Sequence, residues 1–92
     1  MHWHIVGVKY LDEYKLVLDF KDGSKKLVDL KSHIHGEVFE PLKDIEYFRT
    51  VKLNHELNSI SWGNGADFAP EFLYVSGTPY VKESRGRGSS SN

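Results

Sequence analysis

Two pairs of histidines are the first residues in this chain whose type and spacing could do chemistry. His2 and His4 stand two positions apart, and His33 and His35 repeat the interval. Imidazoles at i and i+2 on a strand project from one face and can ligate zinc, nickel or copper. Glu37 or Glu40 would complete such a set. A bare His-x-His also arises by chance, and no His-Glu-x-x-His accompanies it, so ordinary surface histidines are the simpler account. The carboxylates Glu37, Glu40, Asp67 and Glu71 could supply a general acid and base, but only with one of them desolvated beside a cleft. Asp44 and Asp67 each stand just before a helical start, where capping explains them.

No nucleophile constellation is present. The chain has no Cys, no G-x-S-x-G, and no Ser with an evident His and Asp pairing. GNGAD lacks the G-x-G-x-x-G spacing and the long helix that would follow a phosphate cradle. No catalytic residue and no cofactor site are therefore expected, and the protein is not expected to be an enzyme.

The least ordinary stretch is SWGNGADFAPEFLY, residues 61–74. Its expected role is structural closure first and contact surface second, carried by Trp62, Asn64, Gly65, Asp67, Pro70, Glu71 and Tyr74. Trp62 should end a strand facing the core. Gly63-Asn64-Gly65 should then turn the chain, using the freedom of glycine and the left-handed tolerance of Asn. Asp67 should accept backbone N–H bonds from the turn at Ala69 to Glu71, while Phe68, Phe72 and Leu73 fold over the apolar layer. Tyr74 should remain at the rim, free to meet a partner. These rings could stack bases, but stacking platforms come with a positive groove, and here Asp44, Glu46, Asp67 and Glu71 are the neighbours. Two arginines in the RGRG of the tail are too few for more than a weak contact. Nucleic-acid binding by this domain alone is not expected.

The elements that must position these residues follow from pattern. Ninety-two residues with 39% hydrophobic and 13% aromatic content make one globular domain, read as 1–82, and net charge is −1. No signal peptide and no run long enough to span a bilayer appear, so a cytoplasmic domain without a membrane partner is expected. HWHIVGVKYL carries apolar residues on both faces, which suits a strand with little exposure. In YKLVLDF, Tyr14, Leu16, Leu18 and Phe20 share one face. Asp22-Gly23 marks a tight reversal into KKLVDL. In FEPLKDIEYFRTV, Phe39, Leu42, Ile45 and Phe48 recur every three residues as one helical stripe, with Asp44 as an N-cap. VKLN and NSISW read as a second hairpin, and APEFLY as one helical turn opened by Pro70. The order β-β-β-α-β-β predicts an α+β fold: a single antiparallel sheet, one helix packed on it, and a short C-terminal helical turn. ESRGRGSSSN, residues 83–92, has nothing apolar to bury and should be disordered.

The linked motifs LVLDFKDGSKKLVDL, GEVFEPLKDIEYFRTVKL and SISWGNGADFAPEFLY resemble a small bacterial family, domain of unknown function 2442, over residues 5 to 75. Ile45 and Gly63 stand where that family usually has Pro, and Ala69 replaces better cap residues. The resemblance implies an α+β fold and no established activity. Some members carry a C-terminal helix-turn-helix domain, and some are encoded beside another small domain in what look like toxin–antitoxin pairs. The resulting expectation is a non-enzymatic protein-interaction module, antitoxin-like or self-associating as a homo-oligomer such as a dimer. The alternative is a small metal- or ligand-binding protein using the histidine pairs.

Overall fold

In the strand Lys15–Phe20 (β2), Leu16, Leu18 and Phe20 alternate with Lys15, Val17 and Asp19, and the first set is buried in the core. The computed structural model describes residues 3–80; His2 and the 83–92 tail lie outside them. Around β2 lie two antiparallel neighbours, β1 (Ile5–Asp12) and β3 (Lys25–Asp29). The β2–β3 reversal is held by Asp22, whose Oδ1 accepts the Ser24 N–H at 2.8 Å.

The rest of the strand arrangement departs from expectation. A single sheet was expected, but there are two. A short strand, Thr78–Pro79 (β7 in chain order), adds to the far edge of β3, giving the order β1-β2-β3-β7. Separately, β4 (Lys52–Asn54), β5 (Ser59–Ser61) and β6 (Asp67–Phe68) form a three-stranded sheet in that order. The predicted second hairpin is therefore present, but it joins β6 rather than the first sheet. One backbone bond links the two near this hairpin, from Ile5 N–H to Asn58 O at 3.0 Å. The apolar side chains of both sheets meet in one core that includes Leu18, Phe20, Phe48, Ile60, Trp62 and Leu73.

Strand β1 is also more open than expected. It is an edge strand, and its register with β2 shifts between Ile5 and Gly7, so that Val6 is an extra residue. The bulge lets Ile5, Val8 and Tyr10 all serve the core while Val6 turns outward, 55% exposed.

The stripe at Phe39, Leu42, Ile45 and Phe48 does not form one continuous helix. A spacing of three is the period of a 3₁₀ helix, and that is the form taken by Glu37–Lys43. Asp44 then leaves helical geometry and caps a four-residue helix, α1 (Ile45–Phe48), with its Oδ1 accepting the Glu46 N–H at 3.1 Å. The longer helix is α2 (Pro70–Ser76), seven residues where a single turn was expected. No helix among the described residues is long and apolar enough to cross a membrane.

Candidate functional site

Within residues 61–74 the bonds differ from those expected. Trp62 is buried, and its indole Nε1–H donates to Phe48 O at 2.9 Å. Its backbone N–H donates to Ala66 O at 2.9 Å, and Gly65 N–H returns to Trp62 O at 3.0 Å. Only Gly65 in this turn has a left-handed φ, +94°. Asn64 does not use that region. Its Oδ1 accepts the Ala66 N–H at 3.1 Å, and its Nδ2 donates to Val38 O at 2.9 Å, tying the turn to the 3₁₀ segment.

Two expected roles are corrected. Asp67 does not cap α2: the N-cap position is Ala69, without a side-chain bond, and Asp67 sits exposed in β6 opposite Ser61. A carboxylate committed to a strand two positions earlier does not reach the first turn. Tyr74 is not free at the rim. Its hydroxyl donates to Asp22 Oδ2 at 2.7 Å, its ring meets Phe20 edge-on at 4.9 Å, and Lys26 Nζ lies 4.3 Å from the ring centre. The bond to Asp22 raises the phenol's pKa, with burial and the Asp22 charge adding to it.

What α2 presents outward is a different set. Leu73 is fully buried, and the helical rotation then sends Glu71 and Val75 to the opposite side, with Phe72 on the flank, partly buried against the core. Val75 is 82% exposed, the most exposed of the large apolar residues described. Phe72 is half-buried and ends an aromatic row: its ring stacks on Phe68 at 5.8 Å, and Phe68 lies 5.0 Å from Phe39. His33 meets the Phe72 ring edge-on at 5.0 Å. Val38, beside Phe39, is 44% exposed. Pro70 begins the helix as expected, at a position where its missing N–H costs nothing.

Glu37, Asp67 and Glu71 are exposed, and the ion pairs of the described residues join other groups: Lys15 with Asp12 and Glu13, Lys25 with Asp19, and Lys43 with Glu40. Lys9, Lys15, Lys25 and Lys26 lie on β1 to β3, and Lys21 and Lys31 flank those strands.

His33 and His35 do not assemble as a pair. His33 ends a 3₁₀ turn, Lys31–His33, and His35 lies in the exposed loop after it, so the strand that would place both on one face is absent. His4 precedes β1, and His2 lies outside the described residues. Among the described residues no group of three or more His, Asp or Glu is arranged to hold a metal ion. The shallow cavities among the described residues include one of about 120 Å³ over Val17 with Lys9 and Lys25, one of about 240 Å³ between Tyr14, Ile34, Lys31 and Lys43, and one of about 520 Å³ over Asp29, Lys31 and Ser32. None of these three contains a residue of the 61–74 stretch.

Val38 and Val75 are the exposed apolar residues of this region missed from sequence. A helical wheel drawn through residue 76 would have found Val75, because burying Leu73 forces Val75 outward.

Compared with known proteins, the chain matches one family model, described as "Protein of unknown function (DUF2442)", over residues 5–79. No curated protein and no solved structure matches it.

Proposed function

The chain belongs to that DUF2442 family, and we propose that it is a non-enzymatic protein-interaction module working in the cytoplasm through the outward face of α2. One observation carries the reading: Val75 stands 82% exposed beside the half-buried Phe72, at the end of an aromatic row. A helix that only closed a fold would gain nothing from an aliphatic residue there. Contiguous apolar groups rimmed by polar ones are the usual mark of a protein contact. Glu71, exposed one helical turn before Val75, supplies a polar neighbour.

The partner on this reading is a protein, either a second copy or the product of a neighbouring gene, as in pairs of antitoxin type. Rigid closure by Trp62 and Asn64 supports it, since a preorganised surface loses little entropy on binding. Sedimentation of the protein alone and mixed with the neighbouring gene product tests the proposal. A stoichiometric complex or a dimer that Val75→Asp disrupts without lowering the melting temperature is expected. A protein that stays monomeric in both experiments overturns it.

A further inference from the structure

We infer that Asn64 is a site of spontaneous covalent modification, deamidation through its own backbone, held back by the closed Trp62–Ala66 turn and released when that turn opens. Asn64 is the only Asn in the sequence followed by Gly; Asn54 and Asn58 precede His and Ser. Without a side chain, Gly65 leaves its amide nitrogen sterically open and gives the backbone the freedom to bring it onto a neighbouring carbonyl carbon. Gly63, Asn64 and Gly65 are all exposed, so water and hydroxide reach the reacting atoms.

The reaction needs only water and a base. Hydroxide removes the Gly65 amide proton, and the nitrogen attacks Asn64 Cγ. A new N–C bond closes a succinimide ring, while the Cγ–Nδ2 bond breaks and Nδ2 takes up a proton and leaves as ammonia. Water then opens the ring, giving either aspartate or isoaspartate, whose main chain runs through the side-chain carbon. The net change is Asn and water to Asp and ammonia, with nothing oxidised or reduced.

The closed turn opposes the movements this requires. Gly65 N–H, which must give up its proton, donates to Trp62 O at 3.0 Å. The carboxamide is fixed at both ends: Oδ1 accepts the Ala66 N–H at 3.1 Å, and Nδ2 donates to Val38 O at 2.9 Å. Bringing Cγ onto the Gly65 nitrogen frees that N–H and turns the carboxamide away from its partners, so the reactive form is a locally opened one. The consequence runs one way. Aspartate at position 64 has no N–H for Val38 O, and the tie from the turn to the 3₁₀ segment Glu37–Lys43 is lost. Isoaspartate also lengthens the chain between the Trp62 N–H and the Ala66 carbonyl that it meets.

The full chain, incubated in mildly alkaline buffer either folded or in guanidinium chloride, tests this, with conversion located by peptide mapping and uptake of isotopically labelled water. In denaturant Asn64 is expected to convert faster than Asn54 or Asn58. In the folded protein it should convert about ten-fold more slowly than in denaturant. Denaturant below the unfolding transition should raise the folded rate in step with amide exchange at Gly65 and Ala66. Gly65→Ala should slow conversion of the unfolded chain, because the added methyl obstructs the attacking nitrogen. The converted protein should show faster amide exchange at Val38 and Phe39, as should Asn64→Asp. Equal rates in folded and unfolded protein would overturn the gating by the turn. A rate at Asn64 in denaturant no higher than at Asn54 and Asn58 would overturn the site itself. Unchanged exchange at Val38 and Phe39 after conversion would overturn the release of the 3₁₀ segment.

Discussion

Tyr74 reaches across 52 positions of sequence to donate its hydroxyl hydrogen to Asp22 Oδ2 at 2.7 Å, fastening α2 to the β2–β3 turn. The bond requires the neutral phenol, and this is why the Tyr74 pKa lies above its ordinary value of 10.0. A group whose folded pKa is raised contributes stability that is complete below the unfolded value and is lost as pH rises through the folded one. Wild type should therefore lose stability relative to Tyr74→Phe above about pH 10, while their difference stays constant from neutral pH to about pH 9. Urea unfolding of both proteins across that range checks it. Parallel curves throughout would mean that the bond does not form in solution.

Trp62 carries both packing and a hydrogen bond, and two substitutions separate them. Trp62→Ala removes a buried bicyclic ring that contacts Phe48 at 5.6 Å and Phe68 at 6.0 Å. It should cost about 3–5 kcal/mol. Trp62→Phe keeps much of the ring contact and loses the Nε1–H bond to Phe48 O. Since Val51 N–H also donates to that carbonyl, at 3.3 Å, the loss of this bond should cost only about 1 kcal/mol. Equal destabilisation by both would place the whole effect in the hydrogen bond.

The parts of this fold that were legible are those in which each residue constrains its neighbours. Leu16, Leu18 and Phe20 alternate because one face of β2 is buried, and that period survives any tertiary arrangement. The cap at Asp44 is equally local. The spacing of three from Phe39 to Phe48 was visible, but its meaning as a 3₁₀ turn interrupted at Asp44 was not, because an α-helix tolerates the same apolar positions. Strands β6 and β7 have two residues each and so carry no period at all. Whether β4 and β5 join β1 or stand apart depends on contacts such as Ile5 with Asn58, which no local pattern encodes. The site was half legible for the same reason. Trp62 and Gly65 announced a turn, while the Tyr74–Asp22 bond and the row from Phe39 to Phe72 exist only once distant segments meet.

The two glycines of the Trp62–Ala66 turn should respond in opposite directions. Gly65 has φ +94°, a region that costs an L side chain about 1–2 kcal/mol, so Gly65→Ala should destabilise by that amount. Gly63 does not have a left-handed φ, and a Cβ there meets only the Tyr47 hydroxyl, at 3.7 Å. Gly63→Ala should be neutral, or stabilising by up to about 1 kcal/mol through a less flexible unfolded chain. Chemical denaturation of the pair suffices. A destabilising Gly63→Ala would show that the turn uses glycine at both positions.

Asn64 and Asp67 look alike in sequence as short polar residues beside a turn, and the structure gives them different work. Asp67 is exposed in β6 with no bond to the start of α2, so Asp67→Asn should change stability by no more than about 0.5 kcal/mol, as for an ordinary surface position. Asn64 holds two backbone groups with its one amide, accepting from Ala66 N–H and donating to Val38 O. Asn64→Asp keeps an acceptor for Ala66 but sets a carboxylate oxygen against the Val38 carbonyl, and should cost about 1–2 kcal/mol. Its effect should be confined: amide exchange should quicken around Val38 and Phe39, which the Asn64 bond anchors beneath the apolar row, and stay unchanged in β2. Faster exchange in β2 as well would mean that the tie supports the whole core. If Asp67→Asn proved the more damaging of the two, the carboxylate would be structural after all.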